Sequence, residues 1–299
     1  MELHFPLILD GATGTELQRR GYTGDISMEQ WTLAHPDCIR ELQRGYVDAG
    51  SRVLYTPTFG GNAVRLAAHG VTEDVAAYNR RLAALTREAA GGRALVAGDM
   101  APTGLFLPPL GDASFRQLVD AYAQQVAGLE EAGVDLYVIE TMISLSDARA
   151  AVLAVRAVTD KPIFVTFACD GNGRSISGTD ITAALTALQD MGIDAFGLNC
   201  STGAQMLPQL RRLRAYARVP LIAKPSAGLP VMVDGRAVYD CPPEAFAACV
   251  PAMLDSGVMI FGGCCGTTAA HIAALHRALY GGRNAGVELP LTDRHGLLL

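Results

Sequence analysis

The chain has 299 residues, half of them hydrophobic and 18% charged, with a formal net charge of −6. That size suits one large domain or two ordinary ones, and single α/β barrels fall within it. The acidic balance lacks the basic patch of a nucleic-acid-binding domain, and the longest apolar runs fall short of the ~20 residues a membrane helix needs.

In chain order, Met1-Glu2-Leu3-His4 has no basic n-region and Leu7–Leu9 leads straight into Asp10-Gly11. A cleaved leader is therefore not expected, and a cytoplasmic setting is. Short apolar runs follow at Leu7–Leu9, Val53–Tyr55, Ala94–Ala97, Leu136–Ile139, Ile163–Phe167, Ala195–Leu198, Leu221–Ala223 and Val258–Phe261. Ala-, Leu- and Arg-rich stretches with helical spacing separate them, such as Phe115–Ala132 and Ile181–Met191. Near-continuous apolar strands suit a parallel sheet buried on both faces. Eight of them alternating with helices predict a (β/α)8 TIM barrel, one domain over 1–299, rather than an open doubly wound sheet. Leu229–Tyr239, with Asp234-Gly235 between alternating residues, predicts a small hairpin after strand seven. Gly281–Leu299 has little pattern and is expected to trail along the surface.

Polar or reactive residues follow nearly every strand: Asp10, Thr56 and Thr58, Asp99, Glu140, Cys169 and Asp170, Asn199 and Cys200, Lys224 and Ser226, then Cys264 and Cys265. In barrel enzymes that C-terminal rim is where catalytic groups converge. The seven cysteines are an odd number without a disulfide framework. Cys38, Cys241 and Cys249 read as small buried hydrophobes, and Cys169 as packing or an incidental rim thiol.

Phe261-Gly262-Gly263-Cys264-Cys265-Gly266 is different. Adjacent side chains on a regular strand point to opposite faces. Two neighbouring thiolates can serve one metal only where the backbone bends, which glycine permits. Cys200 ends strand six, one strand away around a closed barrel. Each cysteine alone reads as packing, and the vicinal pair alone could also be a disulfide. Their joint placement gives three thiolates and one exchangeable position, the ligand count of an open zinc site. Zinc held by three thiolates is a weak Lewis acid toward water. It suits a fourth, incoming thiol, which with a free pKa of ~8.5 is otherwise mostly protonated at neutral pH. Alkyl transfer onto a thiol follows, rather than hydrolysis. Asp10 and Glu140 could bind an ammonium group, and the Gly-rich backbone after Asp10 a carboxylate. Asp-Gly alone is also ordinary turn chemistry, and Glu140 alone could cap a helix or pair with an arginine.

With these residues in place the chain resembles the zinc-dependent homocysteine S-methyltransferases from Asp10-Gly11 to about Tyr280. Gly197-Leu198-Asn199-Cys200 and Gly262–Gly266 match the family's Gly-x-Asn-Cys and Gly-Gly-Cys-Cys-Gly motifs. Asp10–Glu16, Thr58-Phe59-Gly60, Gly98–Gly104 and Gly173–Asp180 make it most similar to the homocysteine-binding barrel of cobalamin-dependent methionine synthase. The resemblance implies that Cys200, Cys264 and Cys265 ligate zinc and that L-homocysteine sulfur takes the fourth position. It further implies that Asp10 and Glu140 hold the amino group and that amides around Gly11, Ala12 and Thr13 hold the carboxylate. Asn199 and Ser226 are further candidates for substrate contact. Three departures stand out. Thr141 replaces the tyrosine of betaine-using relatives, and Lys224 and Ser226 replace an acid and an asparagine. The 299 residues also hold one barrel, without the folate, cobalamin and activation modules of full-length methionine synthase. The methyl donor is therefore the open question, and the methionine-synthase-like motifs favour a stand-alone acceptor subunit that takes methyl from methylcobalamin on a separate corrinoid protein. The alternatives are a small onium donor such as S-methylmethionine, or a zinc- or homocysteine-binding protein without turnover.

Overall fold

The computed structural model describes residues 3–233 and 236–281, so the expected surface tail beyond Gly281 lies outside the described residues. The strands are β1 (Leu7–Ile8), β2 (Val53–Tyr55), β3 (Leu95–Met100), β4 (Leu136–Met142), β5 (Ile163–Phe167), β6 (Ala195–Asn199), β7 (Leu221–Lys224), β8 (Val231–Val233), β9 (Arg236–Val238) and β10 (Val258–Phe261). Eight of them form one parallel sheet in the order β1-β10-β7-β6-β5-β4-β3-β2, with helices on the outside, which is the expected (β/α)8 barrel. The hairpin foreseen after strand seven is present as the antiparallel pair β8–β9. Its turn residues, Asp234 and Gly235, lie outside the described residues. Leu229, Val231, Met232, Val233 and Val238 give it an exposed apolar surface.

The sheet closes between β1 and β2 through mixed contacts. The Arg52 amide donates to the Ile8 carbonyl at 2.8 Å and the Ser51 hydroxyl to the Leu9 carbonyl at 3.0 Å. At the top of the seam, the Asp10 carboxylate accepts the Tyr55 amide at 2.7 Å, standing in for a backbone carbonyl. A strand amide left unpaired in the interior costs about as much as a lost hydrogen bond, so this side chain is part of the barrel wall.

Side-chain parity divides the core. Leu7, Leu9, Val53, Tyr55, Ala97, Leu136, Val138, Phe164, Ala195, Ile222 and Ile260 pack together inside the barrel. The alternate strand residues, among them Ile8, Leu54, Val96, Tyr137, Ile139, Val165, Phe196, Ala223 and Phe261, pack outward against the helices. Two residues further along, the inward positions become Asp99, Glu140 and Lys224, so a charged layer lies directly on an apolar one. These three residues and Asn199 were expected to follow their strands. Instead, β3, β4, β6 and β7 run one to three residues past the apolar runs and include them. A polar inward side chain does not interrupt the backbone ladder. At Gly197 the approach of β6 to β7 is so close that a Cβ would run into the Ile222 carbonyl.

The loop after β3 is pinned from outside. Asp147, on the helix Leu145–Arg156, accepts the Thr103 amide at 3.0 Å, the Thr103 hydroxyl at 3.1 Å and the Tyr122 hydroxyl at 2.9 Å. Burial pushes the Asp147 carboxyl up to about 6 despite these bonds.

Two measurements check this description. Gly197→Ala should lose roughly 2 kcal/mol or more in urea unfolding, because overpacking here meets backbone. Gly171→Ala, whose Cβ meets nothing within 4 Å, should stay within about 0.5 kcal/mol of the parent. For Asp147 the folded pKa lies above the unfolded value of 3.8. Its contribution to stability is therefore full below that value and is lost as pH rises through about 6. Asp147→Asn should remove that part of the pH slope in thermal unfolding.

Candidate metal centre and active site

Asn199 is the last residue of β6, and Cys200 follows it with a left-handed backbone (φ 61°), a conformation seldom adopted outside glycine. Cys264 and Cys265 come after β10 through Gly262-Gly263. A Cβ at Gly263 would overlap the Thr267 side chain, and Gly266 has φ 79° with Tyr239 packed where its Cβ would be. The turn at the cysteine pair thus requires its glycines.

The three Sγ atoms lie within 4.8 Å of one another. Cys200 is 3.0 Å and Cys265 4.0 Å from Cys264. Backbone bonds fix the two ligand loops to the strand between them. The Cys264 amide donates to the Pro225 carbonyl at 2.8 Å, the Ala227 amide to the Cys265 carbonyl at 2.9 Å and the Ser226 amide to the Ser201 carbonyl at 2.9 Å. Thr267 Oγ1 donates to the Cys264 carbonyl at 2.7 Å and accepts the Ala12 amide at 3.0 Å. Each loop runs into a helix, Gly203–Arg214 or Ala269–Tyr280. Hydrogen bonds from Cys200 and then Cys264 pull the Cys265 thiol down to about 3, while those with Cys200 and then Cys265 push Cys264 well up. Three thiols so crowded share one charge, which a bound cation would let all three carry. The donor set fits a soft, tetrahedral metal with one open position.

Facing this cluster is the charged layer. Lys224 is 3% exposed. Its Nζ lies 3.4 Å from Asp10 Oδ1, 3.5 Å from Glu140 Oε2 and 3.5 Å from the centre of the Tyr55 ring. Gly262 leaves room for the lysine stem, since a Cβ there would sit 3.0 Å from Lys224 Cγ. Burial pulls the Lys224 ammonium down, but Glu140, Tyr55 and Asp10 outweigh it and hold the group charged. Burial raises the Asp10 and Glu140 carboxyls against the pull of Lys224.

A cavity of about 360 Å³ joins the two halves. Asp10, Gly11, Ala12, Thr13, Glu140, Cys200, Cys264 and Cys265, all singled out from sequence, line it. The Ala12 amide is already taken by Thr267, whereas the amides of Gly11 and Thr13 have no partner among the described residues. Asn199 stands behind the wall, its Nδ2 2.6 Å from Thr141 Oγ1 and 3.9 Å from Cys264 Sγ. Ser226 is buried, and its amide braces the Cys200 loop. Sequence reasoning placed Asp99 and Lys224 at the rim without giving them a part. Inward parity, counted on from Ala97 and Ile222, was the signal available. Tyr55, Phe59 and Arg65 also line the cavity; Phe59 lies in a segment that carried the resemblance and Tyr55 ends an apolar run, whereas nothing in the local sequence marks Arg65.

Fold and site together define a (β/α)8 barrel with a three-cysteine centre at its C-terminal rim. The profile described as homocysteine S-methyltransferase matches residues 7–279, and the chain belongs to that family. It is 33% identical over 292 residues to methionine synthase of Mycobacterium tuberculosis, a match covering 91% of this chain and 24% of that protein. Methionine synthase of Mycobacterium leprae is also 33% identical, over 97% of this chain and 25% of that protein. The chain thus spans about a quarter of the length of these curated relatives. Among solved structures, the metallated form of the homocysteine methyltransferase MmuM from Escherichia coli superposes with a TM-score of 0.76 at 26% identity, covering 90% of this chain and 94% of that one. The carboxyl transferase domain of Rhizobium etli pyruvate carboxylase, at 15% identity and a TM-score of 0.51, shares the fold alone.

Metal analysis of the purified chain should find about one ion per chain. Cys200→Ala, Cys264→Ala and Cys265→Ala should each lower that content at least ~10-fold, because two thiolates bind far more weakly than three. Cys169→Ala should leave it unchanged.

Proposed function

We propose that this chain is a homocysteine S-methyltransferase that binds zinc through Cys200, Cys264 and Cys265 and converts L-homocysteine to methionine. The observation that carries the reading is the meeting of three Sγ atoms within 4.8 Å at the wall of an acid-lined cavity. Zinc held there supplies a position at which an incoming thiol stays deprotonated yet nucleophilic. The chain's own residues do the rest. Asp10 and Glu140 give the far wall its negative charge, which favours the substrate ammonium. Gly11 and Thr13 line the cavity, and their amides, without partners among the described residues, serve as donors to its carboxylate. Fixing both ends of so small a molecule leaves its sulfur little freedom, which converts binding into orientation for attack. The acceptor sulfur then forms a bond to the methyl carbon as the bond from carbon to donor breaks, and the electron pair of that bond leaves with the donor. Seven free cysteines support a reducing, cytoplasmic setting. Among the described residues, no helix is long and apolar enough to cross a membrane.

For the donor, the likeness to methionine synthase supports a methylated corrinoid on a separate protein. One observation favours the second reading, a small onium amino acid such as S-methylmethionine. Arg65 lines the cavity with its guanidinium 5.9 Å from the Phe59 ring and forms no ion pair among the described residues, so it is available to a donor carboxylate.

Purified chain should be incubated with L-homocysteine and, in turn, a methylated corrinoid protein, methylcobalamin, S-methylmethionine and betaine, with methionine measured by mass spectrometry. Methionine is expected with the corrinoid donors. Formation with S-methylmethionine alone transfers the assignment to the second reading, and no methionine from any donor sinks the transferase. Full activity in metal-free protein would remove zinc from the chemistry.

A further inference from the structure

Among the described residues, two that are not glycine have a left-handed backbone, Thr141 at φ 56° and Cys200 at φ 61°. In a β-branched residue such as threonine this conformation is an outlier, and it persists only where the surroundings impose it. Each follows a polar residue near the end of its strand, Glu140 on β4 and Asn199 on β6, and β5 lies between the two strands. Neighbouring side chains on a regular strand point to opposite faces. Yet Glu140 and Thr141 both line the cavity, and the β4–β5 register shifts between Ile139 and Met142 to allow it. The Thr141 amide turns to the Thr166 hydroxyl at 3.3 Å.

The Thr141 hydroxyl so placed meets one group. Asn199 Nδ2 donates to Thr141 Oγ1 at 2.6 Å and also lies 3.9 Å from Cys264 Sγ. Asn199 is 1% exposed, and its Oδ1 is buried with no hydrogen-bond partner. The side chain is therefore held through Nδ2 alone, and Thr141 supplies the one oxygen that Nδ2 reaches among the described residues. Asn199 is joined to Cys200 by the main chain and touches Cys264 through its amide, so its placement bears on two of the three sulfurs. Without the Thr141 hydroxyl this buried amide would have no oxygen partner, which costs more than losing a bond exposed to water. The two left-handed residues thus stand at the ends of one strut, Thr141–Asn199–Cys200.

We propose that Thr141 is a positioning residue of the metal centre: its left-handed backbone carries the hydroxyl to Asn199, and that bond fixes Cys200 and Cys264 relative to each other. This rests on the reading of the three cysteines as zinc ligands. It makes Asn199 a support for the ligands rather than a contact for substrate.

The test titrates purified, zinc-loaded chain with a chromophoric chelator, with no thiol or methyl donor present. Outer partners of metal ligands commonly govern affinity by about 10–100-fold. Thr141→Val keeps the branched side chain and loses the hydroxyl, so it should bind zinc at least ~10-fold more weakly. Thr141→Ser keeps the hydroxyl and should stay within about 3-fold of the parent. Thr141→Gly, which adopts this backbone at no steric cost, should lose zinc as Thr141→Val does. Asn199→Ala should lose at least as much, and Thr141→Val added to it should cost nothing further, because both changes break one bond. Unchanged affinity in Thr141→Val and Thr141→Gly, an equal loss in Thr141→Ser, or additive losses in the double variant would overturn the assignment. A parent that holds no zinc, or that holds it equally well after Cys264→Ala, would instead defeat the metal reading itself.

Discussion

The barrel is joined between its first and second strands by a carboxylate. Where a ladder would supply a carbonyl, Asp10 Oδ2 accepts the Tyr55 amide, and its other oxygen faces Lys224. A buried ion pair is seldom worth much in net stability, because desolvation consumes most of the Coulombic gain. Here it has a second task. The same aspartate carries the carbonyl that receives the Gly263 amide at 2.9 Å, so the seam and the cysteine turn share one residue. Sheet closure and the shape of the cysteine turn thus depend on the same residue.

That sharing explains why the two ligand loops need no long side-chain network. Cys200 and the cysteine pair lie 64 residues apart in sequence, and the distance collapses because β6, β7 and β10 are neighbours. The remaining precision comes from backbone bonds to Pro225, Ala227 and Ser226 on the connection leaving β7. The left-handed Cys200 is a local strain tolerated in exchange for aiming its sulfur at the pair.

Much of this was legible in the chain. The apolar runs mark all eight strands because both faces of each are buried, and the glycine-flanked Cys264-Cys265 announces a bend no regular strand allows. The resemblance then named the thiol chemistry. Asp99 and Lys224 were visible only as polar residues beside strand ends. Their meeting in one charged layer depends on inward parity across three strands, which no local pattern encodes. Cys200's backbone conformation was likewise unreadable, since an Asn-Cys-Ser sequence carries no signal for positive φ. The same holds for the Ser226 amide, whose bond to the Ser201 carbonyl no local pattern announces.

The exposed apolar hairpin β8–β9 has a further consequence. It springs from the connection that braces Cys265, and Tyr239 at its base fills the notch left by Gly266. The wall beside the cysteines is thus built from positions where even a methyl group collides with main chain or packed side chains, as at Gly197, Gly262 and Gly263. The hairpin surface, with Val231 and Met232 open to water, carries no such restriction. The wall beside the cysteines therefore tolerates almost no side-chain growth, while the hairpin surface is free to vary.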